Sequence, residues 1–570
     1  MKLYRVSVFI VVLALIFAAF APAKVSAQGA GEGQTIVDIA ASDPQFSTLV
    51  AAVQAAGLVE TLSSEGPFTV FAPTNAAFAK LGDATIQALL NDPATLQGIL
   101  LYHALSGSVY AVDVLQRSSA TTINGQDVVF SVRKGSVYIN NAQITVTDIQ
   151  ASNGVIHVID TVILPPTKDI VDTAVANPQL KGLVAAVQAA GLVETLKGEG
   201  PFTVFAPTDA AFKAIGKSAL EALQKDPAKL ASILTYHVVA GKLYSGDVLK
   251  TTSITTVNGN DLVFTMRKGK LYVNNARIVM TDVLATNGVI HIIDAVMLPP
   301  VGDIVDTAIA NPKLKGLVAA VQAAGLVETL KGEGPFTVFA PTDDAFRKIG
   351  RSTLEALKDD PAALASILTY HVVPGKLYSP DVLKQTSQTT VNGNDLVVKM
   401  IKGKPYINNA RIIVTDIVTT NGVIHLIDTV VLPPTKDIVD TAIADKDLEG
   451  LVAAVQAAML VEALKSEGPF TVFAPTDDAF KKLGRATLEG LLEDPAQLQQ
   501  ILLYHAVSGK VYSGDVVKLE SATTLNGADV SISIKNGKVY INDARVIKTD
   551  ILATNGVIHK IDRVLLPPAN

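Results

Sequence analysis

The chain has 570 residues, 49% of them hydrophobic and 18% charged, with no cysteine, no tryptophan and a formal net charge of −6. That apolar share belongs to a folded globular protein, and the length predicts about four domains at roughly 150 residues each. Mild acidity excludes nucleic acid as a partner bound through bulk charge, and the lack of cysteine excludes disulfides, thiolate metal sites and lipid attachment at a thiol.

The first predicted element is a secretion signal over 1–27. Lys2 and Arg5 precede the apolar run Val6 to Ala21, and Val25-Ser26-Ala27 supplies small residues for cleavage. That run is shorter than the roughly 20 residues of a spanning helix, and no later segment is long and apolar enough. The mature protein is therefore expected to have no membrane span and to be secreted and extracellular, or periplasmic where the envelope has an outer membrane. "QGAGEGQ", 28–34, reads as a flexible leader.

The rest is one unit written four times. "GPFTVFAPT" begins at Gly66, Gly200, Gly334 and Gly468, and "NGVIH" begins at Asn153, Asn287, Asn421 and Asn555, each at the same step. The step is too long for a solenoid repeat and suits a whole domain. Double prolines at Pro165-Pro166, Pro299-Pro300 and Pro433-Pro434 mark the boundaries, which gives domains at 35–166, 167–300, 301–434 and 435–570. No Gly/Ser tether separates them, so neighbours are expected to sit close, in a stiff extended row.

The second unit shows the predicted elements. "LKGLVAAVQAAGLVETL" (Leu180 to Leu196) is helical, with Leu183, Val187 and Ala190 on one face and Gly191 placed to end the helix in a left-handed conformation. "GPFTVFAPT" is a short buried strand, and Thr208-Asp209 caps the helix that follows. Asp209, Asp343 and Asp477, with Asn75 in the first unit, read as caps rather than catalytic carboxylates. Asp226-Pro227 opens another helix, running into "LASILTYHVV". Period two then takes over, with turns at Asn258-Gly259 and Lys268-Gly269 and a last strand from Asn287-Gly288. Helices followed by antiparallel strands make an α+β domain. The fourth unit departs at one turn, where Met459 stands for Gly57, Gly191 and Gly325.

"GPFTVFAPTDAAF" and "TNGVIHIIDAVMLPP", with Tyr236-His237 between them, resemble the two signature blocks and the Tyr-His motif of the fasciclin domain. The resemblance covers Thr35 to Pro568, four times over. It implies four tandem fasciclin-like domains, each a β-wedge of mostly antiparallel strands with packed α-helices. It also implies a secreted, non-enzymatic role in cell adhesion or extracellular-matrix interaction, and secreted bacterial members exist. In the family's animal members, adhesion to integrins has been tied to the Tyr-His region and to an Asp-Ile segment before the last block. Tyr102-His103, Tyr236-His237, Tyr370-His371 and Tyr504-His505 match the first. Asp148-Ile149, Asp416-Ile417 and Asp550-Ile551 match the second, and Asp282-Val283 departs conservatively. The basic residue usual before that aspartate is threonine here (Thr147, Thr281, Thr415, Thr549), a departure from the integrin-binding pattern.

All eight histidines belong to these motifs. His157, His291, His425 and His559 sit in a strand apolar on both faces, so each is expected to be a neutral scaffold residue hydrogen bonded to backbone or tyrosine. A two-histidine metal site with Asp294 is the weaker reading, because the ligands would leave opposite faces of one strand. No serine is placed as a nucleophile, so no catalytic residue, metal or cofactor is expected. The expected partner is a cell-surface or matrix protein, with four weak sites acting together. The alternative is an envelope polysaccharide or lipid, although no tryptophan is present to stack on sugar rings.

Overall fold

The computed structural model describes residues 33–568, so the expected secretion signal and most of the leader lie outside the described residues. The chain falls into two compact units, one ending at Pro299 and one beginning at Pro300, and each holds two domains. Each domain is built on a seven-stranded sheet. In the first domain the strands are β1 (Phe68–Pro73), β2 (Ala104–Ser106), β3 (Ser119–Thr121), β4 (Asp127–Arg133), β5 (Ser136–Ile139), β6 (Ala142–Ala151) and β7 (Gly154–Ile159). They lie in the order β2-β1-β7-β6-β5-β4-β3, and the other three domains repeat it.

β1 and β7 run parallel, and every other pair is antiparallel. The parallel pair arises because helices follow β1 and the later meander returns its last strand to the first. This is the α+β wedge expected from the sequence, with a strand apolar on both faces at its centre. In the second domain that centre is Phe202–Pro207 beside Gly288–Ile293. Alternate side chains feed two cores. Val204, Ala206, Ile290 and Ile292 pack under the helices, while Phe205 and Ile293 join Tyr236, Leu262 and Val273 inside the strand wedge.

The helical stretch from Leu180 to Leu196 is two helices, Lys181–Ala189 and Val193–Lys197, broken at Gly191. Gly191 has φ +67°, its N–H bonds Gln188 O at 3.1 Å, and Leu192 N–H bonds Val187 O at 3.0 Å. That is a Schellman closure, which satisfies carbonyls the helix end would leave open. The expected caps divide their work differently. Thr208 caps its own helix, whereas the Asp209 carboxylate accepts the Gly182 N–H at 2.7 Å, at the start of the helix 27 residues earlier. Asp343, Asp477 and Asn75 do the same for Gly316, Gly450 and Thr48. The residue type signalled a cap, but only the tertiary approach of the two helices decides which one it serves.

One buried charge distinguishes the fourth domain. Lys560 stands where the other last strands have Val158, Ile292 and Leu426, and it is 3% exposed. Its ammonium lies 2.6 Å from Asp445 and 2.8 Å from Asp447. The fourth domain alone carries acids at both of those places, where the second has Asn177 and Gln179.

Met459 takes the glycine's conformation rather than turning the chain differently. Its φ is +56°, its N–H bonds Gln456 O and Leu460 N–H bonds Val455 O, both at 3.1 Å. The side chain is 81% exposed, so it fills no apolar gap, and the strain of a left-handed L-residue goes uncompensated. Met459→Gly is expected to stabilise the fourth domain by about 1 kcal/mol, read as slower hydrogen exchange of its core amides in the full chain. An unchanged or faster exchange would show that the turn is unstrained.

Candidate functional site

The last strand carries its histidine to the same place in every domain. In the second, His291 lies opposite Phe205 in the parallel pair, with the rings stacked at 5.4 Å between centroids, and it is fully buried. Its Nε2 is 2.7 Å from the Leu243 carbonyl, and its Nδ1 accepts the Asp282 backbone N–H at 3.3 Å. A carbonyl only accepts and an amide N–H only donates, so these partners assign a neutral ring protonated on Nε2. Burial lowers its pKa. His157, His425 and His559 repeat the arrangement with Val109 and Asp148, Leu377 and Asp416, and Val511 and Asp550.

Asp282 sits at a bulge of the preceding strand with φ +59°. Its carboxylate accepts the Ser245 N–H at 2.8 Å. The Thr203 hydroxyl accepts the Leu243 N–H at 2.8 Å and donates to Gly241 O at 2.7 Å. The loop from Gly241 to Ser245 is thereby tied down by Thr203, His291 and Asp282.

The Tyr-His motif builds a second network, with the opposite tautomer. His237 Nδ1 donates to Ile233 O at 2.8 Å, and its Nε2 accepts the Met297 N–H at 3.0 Å. His103, His371 and His505 bond in the same way. Burial pulls each of these four imidazoles down to about 4. Tyr236 donates its hydroxyl to Asp261 O at 2.9 Å and accepts from Asn274 at 2.9 Å. Burial pushes the hydroxyls of Tyr102, Tyr236 and Tyr370 up to about 12.

Both networks end at a domain junction. Within the first unit, Tyr102 holds the Asp127 carbonyl at 2.7 Å. The Asp127 carboxylate accepts from Lys242 Nζ and from the Tyr244 hydroxyl, both at 2.7 Å and both from the tied loop of the second domain. Ser118 donates to Asp247, and Val129 packs against Tyr244, Val289 and Leu284. Burial raises the Asp127 pKa, the bonds from Lys242, Thr121 and Tyr244 lower it, and the net is a lowered value. Burial and the same carboxylate push the Tyr244 hydroxyl up.

The second unit repeats the junction. Lys510 and Tyr512 meet Asp395 at 3.1 and 2.7 Å, Thr386 donates to Asp515 at 2.7 Å, and Val397 packs on Tyr512, Val557 and Leu552. Lys399 adds an ion pair with Asp550 at 2.8 Å, where the aspartate side chain is 1% exposed.

The candidate adhesion residues are placed by these networks. All eight residues of the Tyr-His pairs are at most 2% exposed, and Asp148-Ile149, Asp282-Val283, Asp416-Ile417 and Asp550-Ile551 are half-buried. In the structure the last-strand histidines and these aspartates hold loops in place. The residues at the junction itself, Asp127, Lys242, Tyr244 and their counterparts, escaped the sequence reading. The recurring "KLYS" and "KVYS", against "SVYA" in the first domain, is the signal that could have found them.

A different feature recurs on the helical side. In the second domain an apolar cleft, open to solvent, lies between Val171, Val184, Val187, Leu192, Phe202 and Val238. The third and fourth domains have matching clefts.

The histidines set a pH dependence. Unfolded imidazole titrates near 6.5 while the folded Tyr-His imidazoles titrate at about 4. The unfolded state therefore binds more protons between those values, and stability falls as pH drops through that window. At about 1.4 kcal/mol per unit, this histidine alone removes about 3 kcal/mol per domain by pH 4. Urea midpoints at pH 7, 5.5 and 4.5 should decline in step, and a flat profile would contradict the assigned neutral rings. His291→Ala should cost its domain about 1 to 3 kcal/mol, by leaving the Leu243 carbonyl and Asp282 N–H unpaired, read by exchange of the second domain's core amides.

The family model for the fasciclin domain matches residues 44–165, 178–299, 312–433 and 446–567. Transforming growth factor-beta-induced protein ig-h3 of Sus scrofa is 32% identical over 513 residues, 89% of this chain and 74% of that protein. Periostin of Homo sapiens is 28% identical over 522 residues, 90% of this chain and 61% of its own length. Cell surface glycolipoprotein MPB83 of Mycobacterium bovis is 41% identical over 129 residues, 22% of this chain and 57% of that protein. With its two signature blocks folded into one sheet in each of four repeats, this chain belongs to the fasciclin family and carries four fasciclin domains in tandem.

Proposed function

We propose that the protein is a secreted, non-enzymatic adhesion or matrix-interaction protein whose domains bind weakly and act together. One surface observation supports the repeated contact. On the same hairpin arm each domain exposes an apolar side chain, Val132, Met266, Met400 or Ile534, at 48 to 56% exposure. A single exposed apolar residue is ordinary, but the same position kept apolar in four domains presents one feature four times. Family membership supports the general kind, and MPB83 is by name a cell-surface protein.

A second reading has its own observation. The apolar clefts of the second, third and fourth domains are lined almost wholly by hydrocarbon. They suit the alkyl chain of an envelope lipid better than a polysaccharide.

One comparison separates the two. The whole chain and the part beginning at Pro300 are passed over cells, matrix-protein surfaces and lipid vesicles. Under the first reading the whole chain is retained about 10 to 100 times more strongly than the part, and aspartate at Val132, Met266, Met400 and Ile534 abolishes retention. Equal retention of both would sink the adhesion reading. Stoichiometric uptake of fatty acid, one per cleft and indifferent to those aspartates, would favour the second.

A further inference from the structure

The junction within each unit is head to tail: a loop face of the later domain meets a strand face of the earlier one. Interfaces of that kind have complementary rather than identical sides, so any free pair of sides can join further copies without limit. Both kinds of side recur in this chain at domains where no junction uses them within their unit. The first domain has the loop face and the fourth has the strand face. Tyr110, the counterpart of Tyr244, is 38% exposed against 4% for Tyr244. Asp529, the counterpart of Asp127 and Asp395, keeps its bond from Thr523 at 2.6 Å and stands exposed.

These two faces differ from the working ones at the residues that make the contact. On the first domain, Ser108 stands where Lys242 and Lys510 supply the ammonium, and Gln150 where Leu284 and Leu552 pack. Val112 stands where the later domain of each unit has glycine, Gly246 or Gly514. A Cβ at Gly246 would lie 2.7 Å from the Ser118 side chain, and one at Gly514 2.6 Å from Thr386. On the fourth domain, Ser531 replaces the apolar Val129 and Val397, and Glu520 replaces the hydroxyls of Ser118 and Thr386. Those hydroxyls donate to Asp247 and Asp515, and a glutamate there would set like charges against each other. Ser108, Val112, Gln150, Glu520 and Ser531 are all exposed.

We propose that these are blocked copies of the junction: the partner they fit is a second copy of this chain, and the five substitutions keep two copies apart. The face of the first domain lacks the cation and carries a clash, and the face of the fourth adds a repelling charge and loses its apolar seat. A junction that forms between linked domains, at an effective concentration of about millimolar, has a Kd below that value, so an unblocked pair of faces should join separate chains at or below that concentration.

The test restores the working residues in the full-length protein. One variant carries Ser108→Lys, Val112→Gly and Gln150→Leu, a second carries Glu520→Thr and Ser531→Val, and a third carries all five. Sedimentation velocity up to about 1 mM should find the native chain and the first two variants monomeric. An equal mixture of those two should stop at a one-to-one dimer, because each still has one blocked end. The five-fold variant should form longer oligomers, and adding Asp529→Asn should return it to monomers. Since each change is at an exposed position, circular dichroism and melting should match the native chain. A native chain that already assembles in an Asp529-dependent manner would overturn the proposal, as would a folded five-fold variant that stays monomeric at about 1 mM.

Discussion

A strand sealed on both faces gives an imidazole no water to turn to, and the rest of the domain is arranged around meeting that demand. His291 can stay in the parallel pair at the centre of the sheet only if both ring nitrogens find partners inside the protein. One partner is the Leu243 carbonyl and the other is the Asp282 amide. Meeting the first fixes the loop that carries Lys242 and Tyr244. Meeting the second requires the bulge that turns the Asp282 carboxylate toward the same loop. The surface that joins one domain to the next is thus shaped by an interior hydrogen-bond requirement.

The Tyr-His pair answers the same demand from the other side of the sheet. His237 uses the carbonyl one helical turn back and the amide of Met297, and the adjacent tyrosine reaches the backbone at the start of the fourth strand of its sheet. In the first domain that strand begins with Asp127, the carboxylate that receives the next domain. In each unit, therefore, one Tyr-His pair and one last-strand histidine hold the two sides of one joint, and the rings themselves stay buried.

Much of this was legible in the chain. The repeat, the α+β order, the Gly191 helix end, the Asp226-Pro227 start and the burial of the last strand follow from local pattern, because propensity, capping and periodicity act over a few residues. One partner each of His291 and His237 lies 48 and 60 residues away, and no local pattern encodes that separation. The same reason hid the service of Asp209 to Gly182 and the meeting of Asp127 with Tyr244 across 117 residues. The bulge at Asp282 was hidden differently: a non-glycine residue in the left-handed region reads as ordinary strand until the register of its neighbour is known.

The buried lysine of the fourth domain bears on how such a protein can be recombined. Lys560 comes from the last strand, while the acids that neutralise it come from Asp445 and Asp447 near the domain's start. A crossover that carried the last strand of the fourth domain into the second would set an ammonium beside Asn177 and Gln179, with no carboxylate at either place. The reciprocal exchange would leave two acids facing an isoleucine. Near-identical strands are therefore not interchangeable parts, and the last strand of the fourth domain can be traded without loss only together with the segment that carries Asp445 and Asp447.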